Sequence, residues 1–168
     1  MGTTVFVRLF DTAGERVLLV LNKAETLPNG EKKRQGWGLP GGGVRFKEAP
    51  FDAANRELAE EAGVRAEIAP TPCMVVKKNL HQVVMIFDGK NPVGDFQPRD
   101  SDILSVDWVS WKFLLPRDKT YGYHQKFPVF GSHVEYIHYQ KTQLFPVSGI
   151  VRGNRINTNC DARILPRT

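Results

Sequence analysis

Only two cysteines, Cys73 and Cys160, occur in 168 residues, far apart and at no metal-ligand spacing. Their scarcity excludes a disulfide scaffold and a cysteine-bound zinc site, and it fits free thiols in a reducing compartment. No apolar run approaches the ~18 residues that a membrane-spanning helix needs. The start, Met1-Gly2-Thr3-Thr4-Val5-Phe6-Val7-Arg8, lacks the basic segment, apolar stretch and cleavage site of a signal peptide. A cytoplasmic protein with no membrane partner is therefore expected. Blocks of like charge, internal repeats and low-complexity segments are absent from the sequence too, which argues against charged tails and solenoid arrays. Nor is there the aromatic-basic alternation of an RNA-binding module.

What is present is an ordinary globular composition, 41% hydrophobic and 24% charged. A chain of 168 residues can bury a proper core, and one domain over residues 1–168 is expected. Twenty-three Lys and Arg against eighteen Asp and Glu give +5, which favours anionic partners such as polyphosphates or nucleic acid without choosing between them.

Val5 to Phe10 and Arg16 to Asn22 are β-rich runs joined by Asp11-Thr12-Ala13-Gly14-Glu15, a pattern that predicts a hairpin. Lys23 to Gln35, with Pro28-Asn29-Gly30, predicts an exposed loop. A helix is predicted from about Pro50 to Ala62, because proline suits the first helical position and Gly63 can adopt the left-handed cap. Ala66 to Ile68, Cys73 to Lys77 and Val83 to Phe87 predict strands, with turns at Pro70-Thr71-Pro72 and Asp88-Gly89-Lys90-Asn91-Pro92. Ile103 to Trp111 predicts a further strand, and a second helix is expected around Trp111 to Leu115. From Tyr121 to Tyr139 aromatics and histidines crowd together without a period that assigns an element. Such a crowd suits a core, a subunit interface of a homodimer, or a base-stacking surface. Strands interrupted by one strong helix indicate an α+β fold.

On the predicted helix, at about 100° per residue, Glu60 and Glu61 lie about 60° and 40° to either side of Glu57. The three carboxylates share one arc beside an apolar stripe of Phe51, Ala54, Leu58 and Ala62. Like charges at this spacing repel, and the helix C-terminus disfavours them further. A solvated acidic face is the plain reading of such a helix. A bound hard cation such as Mg²⁺ or Mn²⁺ would remove the repulsion.

The wider spacing decides between these readings. Gly42, five residues, Glu48, seven residues, then Arg56-Glu57-Leu58-Ala59-Glu60-Glu61-Ala62-Gly63-Val64 resembles the Nudix box at every defined position. Seven exact letters, at roughly one in fifteen each, arise by chance on the order of once per hundred million starts. The approach Trp37-Gly38-Leu39-Pro40-Gly41-Gly42-Gly43 also resembles that family. So does Ser101-Asp102-Ile103-Leu104-Ser105-Val106-Asp107-Trp108-Val109 further on. The resemblance runs from Val5 to about Leu115 and leaves the last fifty or so residues without an anchor.

That resemblance implies a Nudix-type mixed β-sheet sandwiched between helices, and a Mg²⁺-dependent hydrolase of phosphoanhydrides. It implies that Glu57, Glu60 and Glu61 bind metal, with the Gly42 carbonyl completing the shell, and that Arg56 orients Glu57 by an ion pair. Glu48 would fix the loop or reach a second metal through water. The general base would be a box glutamate or a later acidic residue, with Asp102 the candidate and Asp100 the next choice. Lys32, Lys33 and Arg34 are expected to steer an anionic substrate.

Signals that separate subfamilies are missing. Leu80 stands where ADP-ribose-cleaving members tend to show proline, and His81-Gln82 where dinucleoside-polyphosphate members tend to show tyrosine. Three readings stay open: hydrolysis of a small nucleotide (nucleoside triphosphate, nucleotide sugar or dinucleotide), of an RNA 5′ end, or nucleotide sensing without catalysis. The first is preferred, because binding alone does not require the intact Arg-Glu and Glu-Glu pairs.

Overall fold

The computed structural model describes residues 2–114, 123–124, 127–139 and 156–157. In chain order the strands are β1 (Gly2–Leu9), β2 (Arg16–Asn22), β3 (Glu25–Thr26), β4 (Lys32–Lys33), β5 (Gly36–Gly38) and β6 (Gly41–Gly43). Helix α1 (Pro50–Ala62) follows, then β7 (Val64–Ile68), β8 (Met74–Asn79), β9 (Gln82–Gly94) and β10 (Ile103–Ser110). A 3₁₀ turn (Trp111–Leu114), β11 (Tyr123–His124), β12 (Phe127–Pro128), helix α2 (Gly131–His138) and β13 (Ile156–Asn157) complete the described elements. Among the described residues no helix is long and apolar enough to cross a membrane.

The fold is α+β with a mixed sheet. The larger sheet runs β13-β8-β9-β1-β6, with β7 also on β9, and β1 lies parallel to β9 while β6 is antiparallel to β1. A second, antiparallel sheet has the order β10-β2-β5.

The expected hairpin of β1 and β2 does not form. The two strands enter different sheets, and backbone pairing between them is confined to the turn, the bridge Phe10↔Val17 and the Asp11 N–H to the Arg16 carbonyl at 2.9 Å. Strand β2 is apolar on both faces and is covered on both sides, whereas β1 turns Val5, Val7 and Leu9 to one face and Thr4, Phe6 and Arg8 to the other. Leu18 and Val20 pack with Val5, Val7 and Leu9 against Ala53, Ala54, Leu58 and Ala62 of α1. Their alternates Val17, Leu19 and Leu21 pack with Trp37, Leu39 and Ile86 against Val134, Tyr136 and Ile137 of α2. Each fully buried Val or Leu contributes roughly 1.5–3 kcal/mol to this double core.

Helix α1 keeps its expected bounds. Pro50 takes the first position, and Gly63 closes the helix at φ 64, its N–H donating to the Ala59 carbonyl. A Cβ at Gly63 would collide with Asp95 Oδ1 and the Gln97 carbonyl, so that corner requires glycine twice over. The buried face of α1 holds Glu57 and Glu61 as well as the alanines and Leu58, whereas Phe51 is 36% exposed.

Three other expectations change. The turn expected at Asp88 to Pro92 is the interior of β9, which pairs with β7 and absorbs its irregularity at Asn91, φ 52. The expected second helix at Trp111 to Leu115 is the 3₁₀ turn, with Leu115 outside the described residues. The Lys23 to Gln35 loop is exposed over most of its length, and it contains the β3–β4 hairpin.

The aromatic crowd contributes α2. Tyr136 and His138 are buried at 4% and 6% exposure and His133 at 9%, so these rings build core rather than a stacking surface. Tyr121 lies outside the described residues, as do the side chains of Tyr123 and His124 and Cys160.

Helix α2 is tied to the sheet by Arg8. Its guanidinium is held by both Asp88 carboxylate oxygens, at 2.6 and 2.8 Å, and it donates to the Tyr136 and Tyr139 carbonyls. Those carbonyls belong to the last turn of α2 and to its C-cap, Tyr139, where a cation also meets the negative end of the helix dipole.

Candidate active site

Between β5 and α1 the chain makes a short bend whose backbone is fixed on three sides. The Trp37 carbonyl accepts from Phe130 N–H, the Pro40 carbonyl from Val7 N–H, and the Thr3 carbonyl from Val44 N–H. Gly41 sits at φ 154 with no room for a Cβ, which would collide with the Val5 carbonyl. Gly42 is equally committed, since a Cβ there would lie 2.6 Å from Glu57 Oε1. The glycine run is what lets this backbone lie flat against the carboxylates of α1.

Arg56 is the hub of those carboxylates. Nε donates to Glu48 Oε1 at 2.7 Å and Nη2 to Glu48 Oε2 at 3.0 Å, a two-pronged grip. Nη1 donates to Glu57 Oε1 at 2.7 Å and Glu60 Oε2 at 3.0 Å, and Nη2 also reaches the Gly43 carbonyl at 3.1 Å. Glu48 further accepts the Arg45 N–H at 2.8 Å. It thereby closes the loop that enters α1. The Arg56 guanidinium holds the Glu48 carboxyl well below the usual range, at about 2. Glu48 in turn raises Arg56 above its already high value.

Glu57 and Glu61, one helical turn apart, face the glycines from the buried side. Burial raises both above the ordinary glutamate value, and Arg56 opposes the shift at Glu57. Glu61 is pushed up to about 8, first by desolvation and then by the charges of Glu57 and Asp100. The Gly41 N–H, which donates to Glu61 Oε2 at 2.8 Å, and the charge of Lys33 act the other way. Glu60 lies at the rim, 40% exposed and shared between Arg56 and Arg45.

Two of the loop residues expected near the site are sorted by the fold. The Glu60 carbonyl accepts the N–H groups of Arg99 and Asp100, which docks that loop on the end of α1 and brings the Asp100 charge to bear on Glu61. Asp102 is exposed, and its N–H donates to Asp100 Oδ1 within the turn. Among the basic residues of the β3–β4 hairpin, Lys33 has a charge felt at Glu61 and an ammonium 5.6 Å from the Phe130 ring centre. Lys32 and Arg34 are exposed on the same hairpin segment.

Sequence reasoning overlooked Gly41 as a donor to Glu61, Arg45 as a second cation on Glu60, and His133, whose Nδ1 accepts the Leu39 N–H at 2.8 Å. Arg45 was legible only as one loop residue of the five between the box glycine and Glu48.

The donor set suits a hard divalent cation. Two desolvated carboxylates, with the charge of Glu57 adding to the rise at Glu61, face a bend built of glycines. Among the described residues no three His, Cys, Asp or Glu side chains already converge as a cage, because Glu60 is turned toward the arginines.

The model of the NUDIX domain family matches residues 2–130. Among solved structures, the chain resembles the MutT protein of Methanosarcina mazei Go1, with TM-score 0.60 and 21% identity over 84% of this chain and 95% of that one. It also resembles the NUDIX domain of Shewanella oneidensis NrtR, complexed with ADP ribose, with TM-score 0.61 and 21% identity over 85% and 88%. An ADP-ribose pyrophosphatase from Streptococcus suis matches with TM-score 0.55 and 19% identity over 83% and 91%. At these identities the likeness is one of fold.

Proposed function

We propose the following function from a single premise, that this chain belongs to the NUDIX domain family. It is a cytoplasmic, Mg²⁺-dependent pyrophosphohydrolase, with Mn²⁺ as substitute, that cleaves the phosphoanhydride of a nucleoside diphosphate linked to another moiety. The observation that carries this reading is the pair of buried carboxylates, Glu57 and Glu61, held against the Gly41-Gly42 backbone with Arg56 at their side.

Glu57 and Glu61 would hold the metal, joined by the Gly42 carbonyl and by Glu60 from the rim. The cation, when bound, supplies neutralisation of charge on the diphosphate oxygens. Arg56 holds Oε1 of Glu57 and thereby fixes which oxygen faces the glycines. Glu48 braces Arg56 from the far side. In hydrolysis a water oxygen bonds to phosphorus, the bridging P–O bond breaks, and its electron pair leaves with the departing phosphate. The water's proton needs a carboxylate. Asp100 is favoured over Asp102 for that role, since its loop is docked on the Glu60 carbonyl and its charge acts on Glu61. Lys33 would draw the anionic substrate inward, with Lys32 and Arg34 adding to the field.

Among diphosphate-linked nucleotides ADP-ribose is the first to test, because two of the structural relatives are described with it. A panel of nucleoside triphosphates, nucleotide sugars, dinucleotides, ADP-ribose and 5′-triphosphorylated RNA, each with Mg²⁺, Mn²⁺ or excess EDTA, tests the reading. Cleavage of a small nucleotide that EDTA abolishes is expected. Binding without cleavage of any substrate would overturn it in favour of a sensing module, and turnover of the RNA alone would move the substrate to RNA 5′ ends.

A further inference from the structure

The bend that carries Gly41 and Gly42 is held from α2 by one side chain. We infer that His133 is a positioning residue for hydrolysis, whose unprotonated Nδ1 receives the Leu39 N–H and sets the backbone against which Glu57 and Glu61 are aligned. The inference rests on the pyrophosphohydrolase reading for its kinetic part and on geometry alone for the rest.

Strand β5 ends its pairing with β2 at Gly38↔Val20, so the N–H of the next residue, Leu39, falls beyond the ladder. Leu39 is 1% exposed, which removes water as a partner. His133 Nδ1 supplies the acceptor at 2.8 Å. Gly38 makes room for the ring, since a Cβ there would lie 2.8 Å from the same nitrogen. The ring is boxed by Phe6, with centroids 4.4 Å apart, and by Phe130 at 5.6 Å, leaving it little freedom to turn away.

Two residues beyond Leu39 lies the Gly41 N–H that holds Glu61, and three beyond lies Gly42 against Glu57. Leu39 therefore enters the segment that touches both carboxylates, held by His133 on one side and followed by the Pro40 carbonyl, which accepts the Val7 N–H, on the other. Burial, with the charges of Lys78 and Lys33, keeps the ring neutral and its Nδ1 lone pair free to accept. Tyr136 also faces the ring, at 5.8 Å between centroids. Another polar tie from this region to the bend, Phe130 N–H to the Trp37 carbonyl, lies two residues further from the glycines.

The test uses the full chain. Nitrogen NMR of the wild type should show His133 Nδ1 unprotonated and accepting the Leu39 N–H, and a protonated Nδ1 overturns the inference outright. His133→Asn, whose Oδ1 can reach the same N–H, is expected to keep kcat and Mn²⁺ affinity near wild type. His133→Leu, which cannot accept, should lose about 10- to 100-fold in kcat with little change in KM. It should also bind Mn²⁺ more weakly in the absence of any substrate, as read by electron paramagnetic resonance. Val134→Ala, a packing change on the same helix, should lower Tm while leaving kcat of the folded protein unchanged.

A folded His133→Leu with wild-type kcat and Mn²⁺ affinity overturns the inference, as does an Asn variant as impaired as the Leu variant. Should His133→Leu not fold, Gly38→Ala displaces the ring instead and is expected to show the same kcat loss. Wild-type kcat in Gly38→Ala would overturn the inference. If no nucleotide is cleaved by the wild type while the Mn²⁺ and NMR results hold, the pyrophosphohydrolase reading fails and the positioning role stands.

Discussion

The backbone amide of Gly41 donates to Oε2 of Glu61 at 2.8 Å, so β6 grips a carboxylate twenty residues further along the chain. That hydrogen bond favours the ionised form, yet burial and the neighbouring Glu57 and Asp100 outweigh it and push Glu61 up to about 8. Between the ordinary value of 4.5 and about 8 the native state holds this proton more tightly than the unfolded chain does. Metal-free stability therefore falls as pH rises across that window and levels off above it. Thermal melts in EDTA at stepped pH should show the decline, and Glu61→Gln should flatten it. A wild-type Tm that climbs from pH 5 to 8 and is matched by the Gln variant would count against the buried, strained carboxylate.

His133 gives the opposite slope at lower pH. Its folded value is depressed to about 3 from 6.5, so stability is complete above about 6.5 and is lost as pH falls toward 3, where the unfolded chain binds the extra proton. His133→Asn should remove that acid-side loss. Identical melting curves for the two proteins between pH 4 and 7 would show that the imidazole is not held neutral.

Arg56 does more than carry charge. Arg56→Lys keeps the cation but loses the fork that spans Glu48, Glu57 and Glu60. A fall of about 100-fold in kcat is expected, from misplacement of Glu57. Wild-type kcat in the Lys variant would mean that a point charge is sufficient there.

Neutralising Lys32, Lys33 and Arg34 together should raise KM and flatten its dependence on salt, with kcat little changed. Lys33→Ala alone should account for most of the effect, because its charge is the one felt at Glu61. Equal, small effects from all three single variants would argue for a diffuse field rather than a placed lysine.

The parts of this molecule that are local in sequence were legible and the parts that are remote were not. Pro50 and Gly63 mark the two ends of α1 through backbone rules that need no neighbour. Helix geometry likewise places Glu57, Glu60 and Glu61 on one arc, and the resemblance of the box spacing adds Arg56 and Glu48 as candidates. The continuous apolar run of β2 announced burial on both faces, yet nothing in it says that β1 and β2 belong to different sheets. Asp88 and Asn91 read as turn residues, whereas Asp88 anchors Arg8 and Asn91 sits at an irregularity within β9. The clamp of Arg8 on α2 and the bond from Leu39 to His133 join residues 131 and 94 positions apart, and no local pattern encodes them. Helix α2 itself was obscured because its inward face mixes His133, Tyr136 and His138 with only two aliphatic residues, Val134 and Ile137.

The central claim is that the buried carboxylates of α1 hold the metal for hydrolysis, and Glu57→Gln and Glu61→Gln test it most directly. Each keeps side-chain size and removes the charge a hard cation requires. With Mg²⁺ present, kcat/KM should fall by about three orders of magnitude in each variant. In EDTA above about pH 8, where Glu61 is ionised, the Tm of Glu61→Gln should equal or exceed that of the wild type, since a desolvated charge has been removed. Near-wild-type turnover in both folded variants would contradict the account.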